Sequence, residues 1–173
     1  MKRFTLACVV MLMLTVTAAS AQAAKLKDDP NGFNGHTWGK SVREYPSFAR
    51  LLDLGSTDAG TKAVVYENPG ESLTLNGVTL SRITYRFLDD QLESIHVSYQ
   101  GRQNRDKLMR WIEERHGALS PSERKMITSV RWIGDKTTVD LSYNHATDHG
   151  TLLFISRALG QRFNDIDHTS QGD

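Results

Sequence analysis

Residues 78–117, VTLSRITYRFLDDQLESIHVSYQGRQNRDKLMRWIEERHG, decide the fold. Apolar side chains alternate over Val78–Leu88 and again over residues 92–99, which is the period of a strand with one buried face. Asp89-Asp90-Gln91 supplies a turn between the two strands. A helical pattern follows, with Asn104 as its N-cap and a glycine at its end, where a positive φ ends many helices. We therefore predict a β-hairpin followed by an amphipathic helix.

The N-terminus has the pattern of a cleaved signal peptide over residues 1–23. Lys2 and Arg3 precede an uncharged apolar run, and small residues then offer A-x-A cleavage sites. The run is too short for a membrane span, which needs about 20 apolar residues. We expect a periplasmic or secreted protein that has no stable membrane insertion once the signal peptide is removed.

Cysteine and charge restrict the class of protein. Cys8, the single cysteine, lies inside the signal segment, so the core of the mature chain has to hold the fold without disulfides. Two of the 21 basic residues also fall in that segment, which leaves the mature chain close to neutral against 20 acidic residues. A near-neutral balance favours neither nucleic acid nor an anionic membrane as a partner.

The mature chain is predicted to form one domain over residues 33–159. A flexible lead-in at 24–32 precedes this domain, and a polar tail at 160–173 follows it. Short alternating segments before and after the central hairpin supply further strands. We predict an α+β fold, in which an antiparallel twisted sheet of about six strands carries two helices packed on one face.

Two local signals outside the central stretch support this fold. Ser41 and Glu44 form a Ser-x-x-Glu capping box, which predicts a first helix that is kinked at Pro46 and continues to Gly55. Asn76-Gly77 lies between two alternating segments and predicts a two-residue hairpin turn, because both positions of that turn need a positive φ. A change of phase after this turn predicts a β-bulge near residues 81–82.

Two hairpins resemble each other in sequence. Residues 85–99 and 130–143 align with one deletion, so that Arg86 matches Arg131 and Phe87 matches Trp132. An internal duplication explains this likeness, and so does the alternation that any two amphipathic hairpins share.

Four short motifs are spread along the mature chain. They are Trp38-Gly39 before the capping box, Tyr85-x-Phe87 on a strand, a helix ending at Gly117, and Trp132-x-Gly134 in a hairpin. Together they resemble a loose group of small exported proteins from Gram-negative bacteria, in which an aromatic residue usually stands where this chain has His116. The resemblance implies helices on one face of an antiparallel sheet, an outline shared with small envelope-assembly lipoproteins and secreted inhibitors of hydrolases. It implies no particular activity.

Candidate metal ligands cluster in residues 144–150, NHATDHG. His145, Asp148 and His149 offer two imidazoles and a carboxylate, which suit a divalent cation such as zinc. Their spacing matches no established zinc motif, and a hairpin loop rich in turn-forming residues explains the same cluster. The sequence implies no other cofactor.

The chain offers no catalytic set. It has no G-x-S-x-G elbow, no glycine-rich phosphate loop and no cysteine after the signal segment. We therefore expect a non-enzymatic binding module of the cell envelope, with another envelope or secreted protein as its partner. The alternatives are a metal-binding protein or metal-dependent enzyme that uses residues 145–149, and an inhibitor of a secreted hydrolase that inserts residues 67–75 into a cleft. The sequence assigns no oligomeric state.

Overall fold

A computed structural model describes residues 23–56, 60–125 and 128–161 of the 173-residue chain. The predicted signal peptide, apart from its last residue, lies outside the described residues, as does the predicted polar tail from residue 162 onward. Within the described ranges, no helix is both long enough and apolar enough to cross a membrane.

The described residues form eleven strands and the helix α1, Arg102–His116. Single 3-10 turns lie at Val42–Glu44 and Glu123–Lys125, and residues 157–161 are also helical. The strands are β1 (Ala24–Lys25), β2 (Gly32–Phe33), β3 (His36–Thr37), β4 (Ala49–Ser56), β5 (Lys62–Glu67), β6 (Thr74–Leu75), β7 (Val78–Leu88), β8 (Gln91–Gln100), β9 (Ser129–Ile133), β10 (Thr137–Asn144) and β11 (His149–Ser156).

Nine of these strands form one mixed sheet, in the order β1-β9-β10-β11-β8-β7-β5-β4, with β6 paired to the start of β7. Only the β1–β9 pair in this described sheet is parallel. The prediction of an antiparallel sheet of about six strands under two helices is therefore wrong. The described part of the chain is mostly β, with 49% of its residues in strands and 19% in helices.

The predicted first helix accounts for much of this error. Ser41 and Glu44 do form the capping box, in which the Ser41 amide donates to the Glu44 carboxylate over 3.3 Å. The helix nevertheless ends after one 3-10 turn, because Pro46 has no N–H to continue it and disfavours helical geometry in the residue before it. The leucine-rich residues that follow pair with β5 as the strand β4.

The predicted hairpins at residues 74–100 are confirmed. Asn76 and Gly77 have φ values of 47° and 72°, as the two-residue turn between β6 and β7 requires. The predicted bulge lies between Leu80 and Arg82, where the register of β7 against β8 shifts. This bulge lets both halves of the long strand β7 present apolar side chains to the same core.

Helix α1 follows β8 as predicted, but its N-cap is not the predicted residue. Gly101 is the N-cap, and the Asn104 side chain instead donates to the carbonyl of Gln100 over 2.8 Å. The prediction of Asn104 as N-cap is wrong because a glycine with a φ of 92° already turns the chain into the helix. The helix ends before Gly117, whose φ of 117° fits the predicted stop.

The core lies between α1 and one face of the sheet. Trp132 is fully buried, and its indole N–H donates to the carbonyl of Gly117 over 3.0 Å, which ties β9 to the end of the helix. Further large side chains buried in the core include Ile83, Tyr85, Phe87, Leu92, Ile95, Val97, Tyr99, Leu108, Trp111, Ile112, Leu141, Leu152 and Phe154.

The N-terminal segment is held against the β9–β10 turn. Residues 24–32, predicted as a lead-in, include β1 and the buried Leu26. The Asp29 carboxylate accepts the backbone N–H groups of Asp135, Lys136 and Thr137 over 2.7, 2.7 and 3.0 Å. We call Asp29 and these three amides the turn clamp.

Candidate functional site

The predicted metal ligands lie at the turn between β10 and β11. The ring of His145 lies edge-on to the ring of Tyr143, with 4.8 Å between the centroids. The Asp148 carboxylate accepts a hydrogen bond from the Tyr143 hydroxyl, and this bond raises the pKa of Tyr143. His149 begins β11 on the other side of the turn.

The structure brings two of these three residues to one surface. His145 and His149 line a wide depression of about 810 Å³, whereas Asp148 is not part of its lining. Within residues 23–56, 60–125 and 128–161, no three His, Cys, Asp or Glu side chains are arranged to hold a metal ion. A metal site at His145, Asp148 and His149 stays a prediction.

The strand β4 exposes large apolar side chains at the edge of the sheet. Leu51, Leu52 and Leu54 are 39%, 53% and 53% exposed. In the described sheet β4 pairs with β5 on one side, and its other side faces no strand. We call β4 with these three leucines the leucine edge.

Two β-bulges shape the leucine edge. The register against β5 shifts between Arg50 and Leu52 and again between Asp53 and Gly55. A bulge increases the local twist and interrupts the regular ladder of hydrogen bonds. Arg50 and Asp53 form an ion pair within the strand, and Lys62 on β5 lies 4.0 Å from Asp53. Arg50 and Asp53 therefore neutralise each other within the strand, and Lys62 adds one positive charge beside the pair.

An aromatic cluster fixes the chain immediately before β4. The ring of Phe48 lies 4.5 Å from that of Tyr85 and 5.0 Å from that of Tyr45, measured between centroids. The His36 ring lies within 5.3 Å of all three. Because these rings pack on the sheet, β4 starts at a defined place, and the leucines follow beyond the core.

A concave site lies where the N-terminal segment meets the C-terminal end of α1. Its volume is about 350 Å³, at the lower end of the range of small-molecule sites. We call it the aromatic pocket, and its principal lining residues are Phe33, Leu75, Trp111, Arg115, His116 and Phe154.

The sheet face opposite α1 carries two arginine–carboxylate pairs. Arg86 donates to both oxygens of Glu93 over 2.7 and 2.9 Å, and Glu93 is fully buried. Arg131 donates to Asp140 through Nε and Nη2, each over 2.8 Å. A cleft of about 210 Å³ lies beside them, and two of the three arginines that line it, Arg86 and Arg131, already have carboxylate partners. Arg86 and Arg131 are also the residues that match in the two similar hairpins.

Comparisons with protein families, with curated proteins and with solved structures return no match. Function therefore has to be inferred from the leucine edge, the aromatic pocket and the β10–β11 turn. Sequence reasoning missed the leucine edge because it assigned those residues to a helix. The alternation of Leu52 and Leu54 around Asp53 is a strand period that favours the correct assignment.

Acid is expected to destabilise the fold through two histidines. Desolvation lowers the pKa of His36, opposed by Glu71. Desolvation and then the charge of Arg86 lower the pKa of His96, opposed by Glu93. An unfolded histidine titrates near pH 6.5, so both groups stabilise the fold fully above that pH, and this stabilisation is lost as pH falls through the lower folded values. The free energy of unfolding, measured by urea titration, should fall between about pH 7 and about pH 5.

A substitution separates this effect from general acid denaturation. His96→Gln removes one titrating group, so its free energy of unfolding should depend less on pH over the same interval. His149→Gln, which changes an exposed histidine of the β10–β11 turn, is the matched control. Equal slopes for all three proteins would contradict the assignment to His96.

Proposed function

We propose that this protein is a non-enzymatic binding module of the cell envelope, and that it docks another exported protein along the leucine edge. The observation that carries this proposal is the exposure of three leucines within four residues on a strand with one unpaired side. The signal-peptide pattern at residues 1–23 supports export, and with it an exported partner.

The apolar surface supports an interaction that removes it from water. Burying a leucine side chain completely contributes about 1.5–3 kcal/mol, and each of these leucines is already partly buried. Covering all three therefore contributes on the order of a few kcal/mol. That contribution is enough to make Leu51, Leu52 and Leu54 the energetic centre of a small interface.

The unpaired backbone of β4 supports the same role. An extended segment of a partner adds to a sheet edge through main-chain hydrogen bonds, and side-chain pockets then give specificity. The two bulges limit the regular pairing to short stretches, so the leucines have to supply most of the contact. Since Arg50 and Asp53 are already paired, the surface favours a partner segment that is apolar rather than charged.

Site-specific photo-cross-linking in the envelope of the native host tests this proposal. A photoreactive residue in place of Leu52 should give one discrete adduct with a second protein. The same residue in place of Leu73, which is 43% exposed on the loop before β6, should not give that adduct. The matched pair controls for exposure, because both positions hold accessible leucines in the same protein.

The identified partner, once purified, allows a quantitative measurement. Leu52→Asp with Leu54→Asp should weaken its binding by on the order of a hundredfold, as expected for the centre of an interface. Leu73→Asp should leave the affinity within about twofold. Thermal melting of each variant checks that the fold is retained. Adducts that form equally from Leu52 and Leu73, or an adduct with a second copy of this chain, would contradict the proposal.

A further inference from the structure

The aromatic pocket is a built cavity, separate from the leucine edge. Its N-terminal wall is tied to α1 by two hydrogen bonds. Nδ1 of His116 donates to the carbonyl of Asp28 over 2.8 Å, and the amide of Lys27 donates to the carbonyl of His116 over the same distance. On the same wall, the side-chain amide of Asn34 donates a hydrogen bond to the Glu71 carboxylate over 2.7 Å. The pocket therefore does not depend on a ligand to bring its walls together.

Aromatic rings form the apolar part of the pocket. Phe33 stacks on Phe154, with 4.2 Å between the centroids and 25° between the planes. The rings of Phe33 and Trp111 are nearly perpendicular, at 87°, with 6.5 Å between their centroids. Phe154 and Trp111 are buried, whereas Phe33 is half-buried. Such a surface favours a flat apolar group, because aromatic rings stack or meet edge to face at these separations.

Arg115 is a cation that lines the pocket and has no ion-pair partner among the described residues. The guanidinium carbon of Arg115 lies 5.3 Å from the centre of the Trp111 ring, and the side chain is exposed. Arg115 forms no ion pair with any residue in the described ranges. It differs in this respect from Arg86 and Arg131, whose charges carboxylates already neutralise.

We propose that the aromatic pocket binds a small organic anion, with its flat apolar body against Phe33 and Trp111 and its carboxylate on Arg115. Guanidinium and carboxylate groups form paired, charge-assisted hydrogen bonds, and a cation–π contact holds the Arg115 guanidinium beside the Trp111 ring. Asp28 is the only acidic side chain of the described lining, and its carboxylate opposes an anion. The charge of the ligand can therefore be tested by removing the positive charge of Arg115 and, separately, the negative charge of Asp28.

Three probes separate the contributions of the apolar body and the charge. Phenylacetate carries both, phenylacetamide carries the ring without the charge, and acetate carries the charge without the ring. Phenylacetate should bind about tenfold more tightly than phenylacetamide, and acetate should show no measurable binding. The shift of the Trp111 indole N–H in NMR spectra reports binding at the pocket. The indole groups of Trp38 and Trp132, which are bonded to Thr137 and Gly117, serve as internal references.

Substitutions then test the assigned residues. Arg115→Gln should remove the tenfold preference for phenylacetate over its amide and leave the affinity for the amide unchanged. Asp28→Asn keeps the backbone carbonyl that His116 uses and should raise the affinity for phenylacetate. Arg110→Gln, on the same helix but outside the pocket lining, is the matched control.

Several results would overturn the proposal. These are equal affinities for phenylacetate and phenylacetamide, a preference that persists in Arg115→Gln, and shifts at Trp38 or Trp132 instead of Trp111. Failure of all three probes to shift the Trp111 signal at millimolar concentrations would also overturn it.

Discussion

Replacing Arg86 by alanine is expected to lower the free energy of unfolding by about 3–5 kcal/mol, as for other broken buried ion pairs. The reason lies in its partner: Glu93 is 0% exposed and accepts hydrogen bonds from Nε and Nη2 of Arg86. Without Arg86, the buried Glu93 carboxylate loses the ion pair that compensates the cost of burying its charge. Urea unfolding monitored by circular dichroism measures the loss.

Two further variants distinguish burial from simple loss of an ion pair. Arg131→Ala breaks a similar bidentate pair, but the Arg131 side chain is 58% exposed, so the expected loss is at most about 1 kcal/mol. The double change Arg86→Met with Glu93→Leu removes both charges and should cost less than Arg86→Ala alone. Similar losses for Arg86→Ala and Arg131→Ala would refute the role given to burial.

Replacing Asp29 by alanine is the second change with a large expected effect, about 2–3 kcal/mol of the free energy of unfolding. The Asp29 carboxylate accepts three backbone N–H groups of the β9–β10 turn, and Thr137 at the end of that turn is buried. Without Asp29, water can bond to the amides of the exposed Asp135 and Lys136 more easily than to the amide of the buried Thr137. Urea unfolding again gives the size of the change.

Hydrogen exchange locates the effect of Asp29→Ala within the fold. The amide of Leu26 donates to the carbonyl of Ile133 over 3.0 Å, and its exchange should accelerate when the turn clamp is lost. Asp28→Ala is the matched control, because no hydrogen bond or ion pair is described for its carboxylate. If both variants exchange at the parent rate, the turn clamp does not hold the N-terminal segment.

Local signals in the sequence were enough to predict the centre of the fold. The Asn76-Gly77 turn, the alternation in β7 and β8 and the apolar face of α1 each arise from residues close together in the chain. The N-cap at Asn104 failed because the preceding Gly101 turns the chain three residues earlier.

The edges of the sheet could not be predicted in the same way. Strand β1 has two residues and depends on pairing with Trp132 and Ile133, more than a hundred positions away. The segment after Pro46 has apolar residues at helical spacing beside the alternation of Leu52 and Leu54, and its pairing with β5 fixes it as a strand. The number of strands therefore depends on tertiary contacts that periodicity does not encode.

Among the candidate sites, too, only the one built from neighbouring residues could be seen in the sequence. The cluster at His145, Asp148 and His149 was visible because its members are neighbours in sequence, yet Asp148 bonds to Tyr143 and does not line the depression that the histidines share. The aromatic pocket joins Phe33, Trp111 and Phe154, which only the folded chain brings together.

The difference between the two edges of the sheet sets the stoichiometry of any complex formed there. At one edge β1 offers a backbone of two residues, followed by the segment that Asp29 fastens to the neighbouring turn. At the other edge β4 offers eight residues and its exposed leucines. Very short edge strands resist further pairing, so a chain with this sheet has one receptive end. A complex formed at this sheet edge should therefore contain one copy of this chain and one partner, and its size should not grow with protein concentration.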